Sequence, residues 1–321
     1  MSTGGDFPYG FRVAGGPHEP RRLVTWRKAW AAHCAGELDT GEAYLSAWTY
    51  GDELLAHMKA SGGVAGYSGP CWADWVPMDL DGTGPDAVAD ALGRTCSLLA
   101  WLEGQGANLA ALSCWFSGGK GFHVLLPNRG LATAPGPGFR QAARAFVSRI
   151  GQASGCVPDL AIYDAVRIFR APNTRHAKSG LYKIPLRADE LLGMSADAVR
   201  RLAVEPRPGD VPEPGAWCDW QIGGLWGQAE NEANTARAAP VDAAARVDLN
   251  RATLEFIRGG AANGERERRC FMAAANLAEL GADERLAAAL LMPSALDSGL
   301  APGEARRAIA GGVKRGKGGA P

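Results

Sequence analysis

The stretch Leu112-Ser113-Cys114-Trp115-Phe116-Ser117-Gly118-Gly119-Lys120-Gly121-Phe122-His123-Val124-Leu125-Leu126 reads as two apolar strands joined by a tight glycine turn. Gly118, Gly119 and Gly121 let the backbone bend sharply and turn its N–H groups outward, an arrangement that binds anionic oxygens. Ser117 adds a hydroxyl, Lys120 a point charge, and His123 a ring at the start of the following strand. Together they suit a triphosphate. The G-x-x-x-x-G-K-[ST] spacing of a Walker loop is absent. A plain hairpin with a buried, satisfied histidine is the better reading of His123 taken alone; Ser, Lys and His around one turn favour the anion site.

Upstream lies Val76-Pro77-Met78-Asp79-Leu80-Asp81, inside a candidate strand over Trp72–Leu80. Residues two apart on a strand share a face, so Asp79 and Asp81 stand side by side. Like charges that close repel unless a cation lies between them, and Mg²⁺ or Mn²⁺ takes carboxylate oxygen. Two such ions can clamp the attacking and leaving oxygens of a phosphoryl transfer. The blander alternative is a D-x-D-G turn at a strand end, with Gly82 supplying the bend. Val76 and Met78 favour the functional reading, because they root the acids in a core strand.

Downstream, Asp164-Ala165-Val166-Arg167-Ile168-Phe169-Arg170-Ala171-Pro172-Asn173-Thr174-Arg175-His176-Ala177-Lys178-Ser179-Gly180 holds one acid among many bases. Asp164 is the candidate third metal ligand, with Asp159 nearby as its competitor. Arg170, His176 and Lys183 are assigned to the nucleotide's phosphates, and Arg167, Arg175 and Lys178 to the template backbone. Arg suits bidentate phosphate contact. Val166, Ile168 and Phe169 interrupt the charge, so part of the run belongs to a strand with one buried face, expected over Asp164–Phe169.

Around this centre, Arg21–Lys59 reads as mainly helical, with Trp26, Trp30, Leu45 and Trp48 spaced to line one face. Helices are expected over Asp86–Gly104, Phe139–Ser154 and Asp197–Leu202, and a short strand over Leu181–Leu186. Glu205–Pro214 is Pro-rich and reads as a linker or surface loop. Gln228–Ala245 fits no pattern. From Leu249 the composition turns helical: Arg251–Ile257, Glu265–Leu280, Asp283–Met292 ended by Pro293, and a last helix opened by Pro302. Lys314–Gly319 reads as a disordered basic tail. The domains expected are 1–205, a 206–248 linker, and a helical 249–318.

Hydrophobic residues at 46% and charged residues at 21% describe an ordinary globular chain, and 34 basic residues balance 34 acidic ones. Neutrality does not exclude nucleic acid, because such enzymes need a local basic groove. No apolar run is long enough to span a bilayer. Gly4, Gly5 and Asp6 do not fit a secretory signal, so the expected location is cytoplasmic. The seven cysteines form no C-x-x-C pair, and no zinc site is expected.

Met78–Asp81, Ser117–His123 and Asp164–Arg170, in this order, resemble the three motifs of the archaeo-eukaryotic primase superfamily. Pro172–His176 and Lys178–Lys183 resemble the segment after the third motif. The matched region runs from about Ser68 to Leu186. The resemblance implies an α+β fold: a primase-polymerase core on an RRM-like mixed sheet with flanking helices, followed by a small all-α C-terminal domain. It implies that Asp79, Asp81 and Asp164 hold two Mg²⁺ or Mn²⁺ ions and that Ser117 and His123 grip the incoming nucleotide. Leu249–Arg315, with Asn263-Gly264-Glu265-Arg266 and Ala274–Ala278, resembles the helical domain that follows such cores in plasmid and phage primases.

The function expected is a DNA primase that acts on a single-stranded DNA template with nucleoside triphosphates, beside a separate replicative helicase or polymerase and with no membrane partner. A gap-filling polymerase of the same fold, a non-enzymatic single-strand or origin-binding protein, and a metal-dependent nuclease are the alternatives. The helical C-terminal domain favours priming, since starting a chain requires holding two free nucleotides.

Overall fold

The computed structural model describes residues 7–131, 133–218, 220–238, 249–262 and 264–317. The chain divides into two compact units, Met1–Pro240 and Val241–Pro321. The first runs β1 (Tyr9–Ala14), β2 (Arg22–Thr25), α1 (Trp26–Cys34), β3 (Ala43–Ser46), α2 (Asp52–Ser61), β4 (Trp75–Asp81), α3 (Ala87–Gly104), β5 (Ser113–Phe116) and β6 (Gly121–Pro127). It continues with α4 (Phe139–Ser154), β7 (Ile168–Arg170), β8 (Ile184–Leu186), α5 (Ala188–Gly193), α6 (Ala196–Leu202) and α7 (Trp220–Ala238). The second unit holds α8 (Arg251–Gly259), α9 (Arg266–Glu279), α10 (Glu284–Asp297) and α11 (Pro302–Lys317). The fold is α+β with a helical C-terminal part.

Among the described residues two four-stranded sheets form, ordered β2-β1-β3-β7 and β4-β6-β5-β8. Their strands pair antiparallel, not in the mixed arrangement expected. The reason is topological. The α3 crossover returns β5 in the direction of β4, and the β5–β6 hairpin then slots β6 between them. Alternation along β4 separates two faces. Val76, Met78 and Leu80 are fully buried in the core that contains α3 and α4, while Trp75, Pro77, Asp79 and Asp81 point the other way. Asp86 caps α3 by accepting the Ala89 N–H at 3.1 Å. Phe139, Ala142, Phe146 and Ile150 bury one stripe of α4, and Gly155, at φ +72°, closes it in the left-handed conformation.

Several expectations are corrected. Arg21–Lys59 contains β2 and β3 as well as helices, because both belong to the sheet built on β1. The strand expected over Asp164–Phe169 begins only at Ile168. The stretch assigned to an irregular linker includes the 19-residue α7. Its Trp226 sits between Phe139 and Phe146 of α4 at ring distances of 5.6 and 5.4 Å, so burial against a neighbour outweighs a weak local pattern. Pro293 lies inside α10 and does not end it. Lys314–Lys317 extend α11 and are not a loose tail. Gly4–Asp6, residues 239–248, Asn263 and Gly318-Gly319 lie outside the described residues.

The second unit has its own core, with Phe256, Cys270, Ala274, Leu291, Ala305 and Ile309 buried together. Asn250 and Asp283 cap α8 and α10 through the N–H groups of Thr253 and Leu286, each at 2.8 Å. α11 lies against α9 at Gly312 and Gly316. A Cβ at these positions would come within 2.3 Å of Phe271 O and 2.4 Å of Ala275 O.

Candidate active site

The β4–β6 ladder places Asp79 directly opposite His123 and Asp81 opposite Gly121. The strand alternation expected for the two acids is therefore present, and the hairpin brings the glycine turn to their side. A cleft of about 630 Å³ opens there, bordered by Asp79, Asp81, Ser117, Gly119, Lys120 and His123 from the two strands and their turn. Asp159, Arg167, Phe169, Arg170, His176 and Lys178 border it from the later segments.

Asp79 is mostly buried, and its Oδ1 is a buried oxygen without a hydrogen-bond partner. Burial, then Asp81, then Asp159 push its carboxyl up to about 7. His123 Nε2 stands 3.6 Å from that oxygen. The His123 ring rests on Phe169 at 4.7 Å. Its pKa is driven well below the usual histidine range by burial, with Lys183 and Arg170 adding repulsion. Burial thus disfavours the charged form of both groups. Asp81 is more open and pairs with Lys120 at 2.9 Å.

The turn is built differently from the outward array of N–H groups expected. Ser117 Oγ accepts the N–H groups of Gly119 and Gly121 at 3.2 and 3.3 Å, so the serine caps its own turn. Gly118, at φ +79°, is required there, and a Cβ on it would lie 2.9 Å from Leu181 O. Ser179 Oγ donates to Gly118 O, which ties the later basic segment to the turn. His176 Nδ1 accepts from the N–H groups of Lys178 and Ser179 at 3.2 and 3.3 Å. That assignment leaves Nε2 as the protonated nitrogen. Nε2 lies beside Gly119, 3.2 Å from where a Cβ would stand.

The two candidate third acids part company. Asp159 borders the cleft, and its N–H donates to Asp79 O at 2.9 Å. Asp164 is not among the cleft-lining residues. Its carboxylate accepts the Val166 N–H at 3.0 Å and pairs with Arg167 Nε at 2.9 Å. The basic residues also separate. Arg167, His176 and Lys178 reach the cleft. Arg170 borders it but is engaged by Glu42 at 3.3 Å, by the Tyr44 hydroxyl at 3.0 Å and by Arg175 O at 2.8 Å. Lys183 is buried behind the site, where Nζ donates to Arg170 O at 2.8 Å and lies 5.4 Å from the Trp115 ring. Burial pushes its pKa down to about 7. Arg175 turns to Gly180 O at 3.0 Å.

Among the described residues, no three His, Cys, Asp or Glu side chains converge closely enough to hold a metal ion as they stand. The chemistry of Asp79, Asp81 and Asp159 nevertheless suits a divalent cation. They offer hard oxygen donors, one of them orphaned and disfavoured in its charged form by burial and then by its acidic neighbours. Lys120, 60% exposed, can swing off Asp81 at little cost. Phe169 and Ser179 were not singled out from the sequence, where an aromatic and a serine in a basic run carry no distinguishing signal.

No family model and no curated protein matches this chain. Among solved structures, the crystal structure of primase RepB' aligns over 95% of this chain and 88% of that one, at 13% identity and a TM-score of 0.28. At that level the likeness carries nothing from that protein to this one. No helix among the described residues is long and apolar enough to cross a membrane.

Proposed function

We propose that this chain is a template-directed nucleotidyl transferase that makes short primers on single-stranded DNA, as the motif resemblance implies. The observation that supports the reading is one cleft that brings Asp79, Asp81 and Asp159 together with the capped glycine turn, Lys120, His176 and Lys178. Acids for hard cations beside donors for phosphate are what transfer from a triphosphate requires.

In this reading Asp79, Asp81 and Asp159 would hold Mg²⁺ or Mn²⁺, with Asp159 taking the part the motif match gave to Asp164. Bound there, the metal would offset negative charge on the phosphoryl oxygens and lower the pKa of the 3′-hydroxyl. Lys120, Lys178 and the His176 Nε2–H receive the triphosphate, and Arg167 steadies the three acids. A bond forms between the 3′-oxygen and the α-phosphorus, the bond to the bridging oxygen breaks, pyrophosphate leaves, and the hydroxyl proton passes to water. Arg175, exposed beside them, meets the template backbone. A separate helicase or polymerase and a cytoplasmic setting belong to the same proposal.

The experiment is synthesis on single-stranded DNA without primer, comparing wild type with the Asp79→Ala/Asp81→Ala variant in Mg²⁺ or Mn²⁺. Short products from wild type alone support a primase. Extension of a supplied primer without initiation would make it a gap-filling polymerase. Template binding with neither activity would make it a non-enzymatic replication protein.

A further inference from the structure

Trp48, Tyr50 and Tyr163 are all buried. Their polar atoms are spent in one place. Trp48 Nε1 donates to Asp164 O at 2.8 Å, and the Tyr50 hydroxyl donates to the next carbonyl, Ala165 O, at 2.8 Å. Ala47 N–H donates to Arg167 O at 2.9 Å. The Tyr163 hydroxyl donates to Pro77 O at 2.5 Å, two residues before Asp79 on β4. Asp159 N–H donates to Asp79 O at 2.9 Å. The loop 159–167 carries Asp159 and Arg167, and its regular structure is a single 3₁₀ turn over Leu160–Tyr163. Its place is therefore set from outside.

We infer that Tyr50 and Tyr163, with Trp48, are positioning residues: the ring donors of Trp48 and Tyr50 fix the 159–167 loop to the 47–50 segment, that of Tyr163 ties it to the acid-bearing strand, and together they place Asp159 and Arg167 against Asp79. The inference rests on the function proposed above. The anchoring segment is itself held. Thr49 and Trp72 exchange N–H···O bonds at 2.8 and 2.9 Å, as do Tyr50 and Tyr9 at 2.8 and 3.1 Å. It cannot follow the loop if the loop drifts. Burial keeps both phenols protonated, with pKa values well above the ordinary tyrosine range, so they remain donors at any working pH. Packing alone would need the rings but not their donors. Tyr→Phe separates the two roles, since it keeps the ring and removes the hydroxyl.

The test uses the full chain with Tyr50→Phe/Tyr163→Phe. Mn²⁺ binding is read from the free-ion electron paramagnetic resonance signal, kcat and KM for nucleotide from extension of a supplied primer, and Tm from thermal unfolding. Positioning predicts a Mn²⁺ Kd weakened about tenfold or more, with kcat lowered alongside. A fall in Tm with Mn²⁺ Kd and kcat both within about twofold of wild type, well under the usual cost of losing such a support, would overturn the inference. Should the double variant fail to fold, Tyr163→Phe alone gives the same comparison. Wild type that binds no Mn²⁺ would overturn the metal-site reading, and this inference with it. Wild-type binding with an unchanged variant overturns the inference alone.

Discussion

Asp79 and His123 stand opposite each other on paired strands, 3.6 Å apart, and burial disfavours the charged form of both. The strand that roots the acids in the core thus also puts one of them in an environment hostile to its ionised form. A carboxylate held there costs stability when it is ionised.

The first prediction concerns pH. The Asp79 carboxyl is raised from 3.8 to about 7 in the fold, so the folded state binds its proton more tightly than the unfolded chain. Its stabilising contribution is present in full below about pH 4 and is lost as pH rises through about 7. Asp79→Asn removes the titration. In metal-free protein it should be more stable than wild type at pH 8, by about 2–4 kcal/mol, with little difference near pH 4. Urea unfolding at the two pH values checks this; equal stability at pH 8 contradicts it. The same variant should lose synthesis.

Asp159→Ala and Asp164→Ala should differ in kind. Loss of Asp159 should lower nucleotide incorporation about a hundredfold, on the scale of losing a metal ligand or a fixed electrostatic group, with modest effect on folding. Loss of Asp164 removes one partner of Arg167, which keeps its bond to Ala161 O, and should mainly cost stability, about 1 kcal/mol. Incorporation assays beside thermal unfolding decide it. An inactive Asp164→Ala with an active Asp159→Ala would restore the assignment made from the motif.

His123→Ala should weaken nucleotide binding more than template binding. It also removes a buried ring from Phe169, so a destabilisation of about 2 kcal/mol should accompany it. Titration with nucleotide and with labelled single-stranded DNA separates the two effects. Unchanged nucleotide affinity would make His123 a packing residue only.

Gly118→Ala should destabilise the hairpin by about 1–3 kcal/mol, because φ +79° strains an L side chain and the Cβ would crowd Leu181 O. Gly84→Ala shares a positive φ but meets no neighbour within 4 Å, so it reports the backbone cost alone. Equal Tm losses for the two would mean that the close approach of Leu181 to the turn is unimportant.

The sequence by itself determined what local periodicity and turn chemistry can determine. Asp79 and Asp81 share a face because a strand alternates. α4 was legible at both ends, Phe139 and Ser154, from its apolar spacing. Ser117–His123 was legible as a hairpin from its glycines. The tertiary structure decided the rest. Asp159 and Asp164 are both acids in an irregular stretch, where no period says which one faces inward. That choice lies with Trp48, Tyr50 and Tyr163, whose bonds to the loop and to β4 span 116, 115 and 86 residues. Arg170 looks like a phosphate ligand in the sequence and is instead committed to Glu42, 128 residues away. Charges and donors separated that far in the chain meet only through packing, so their partners are properties of the folded whole.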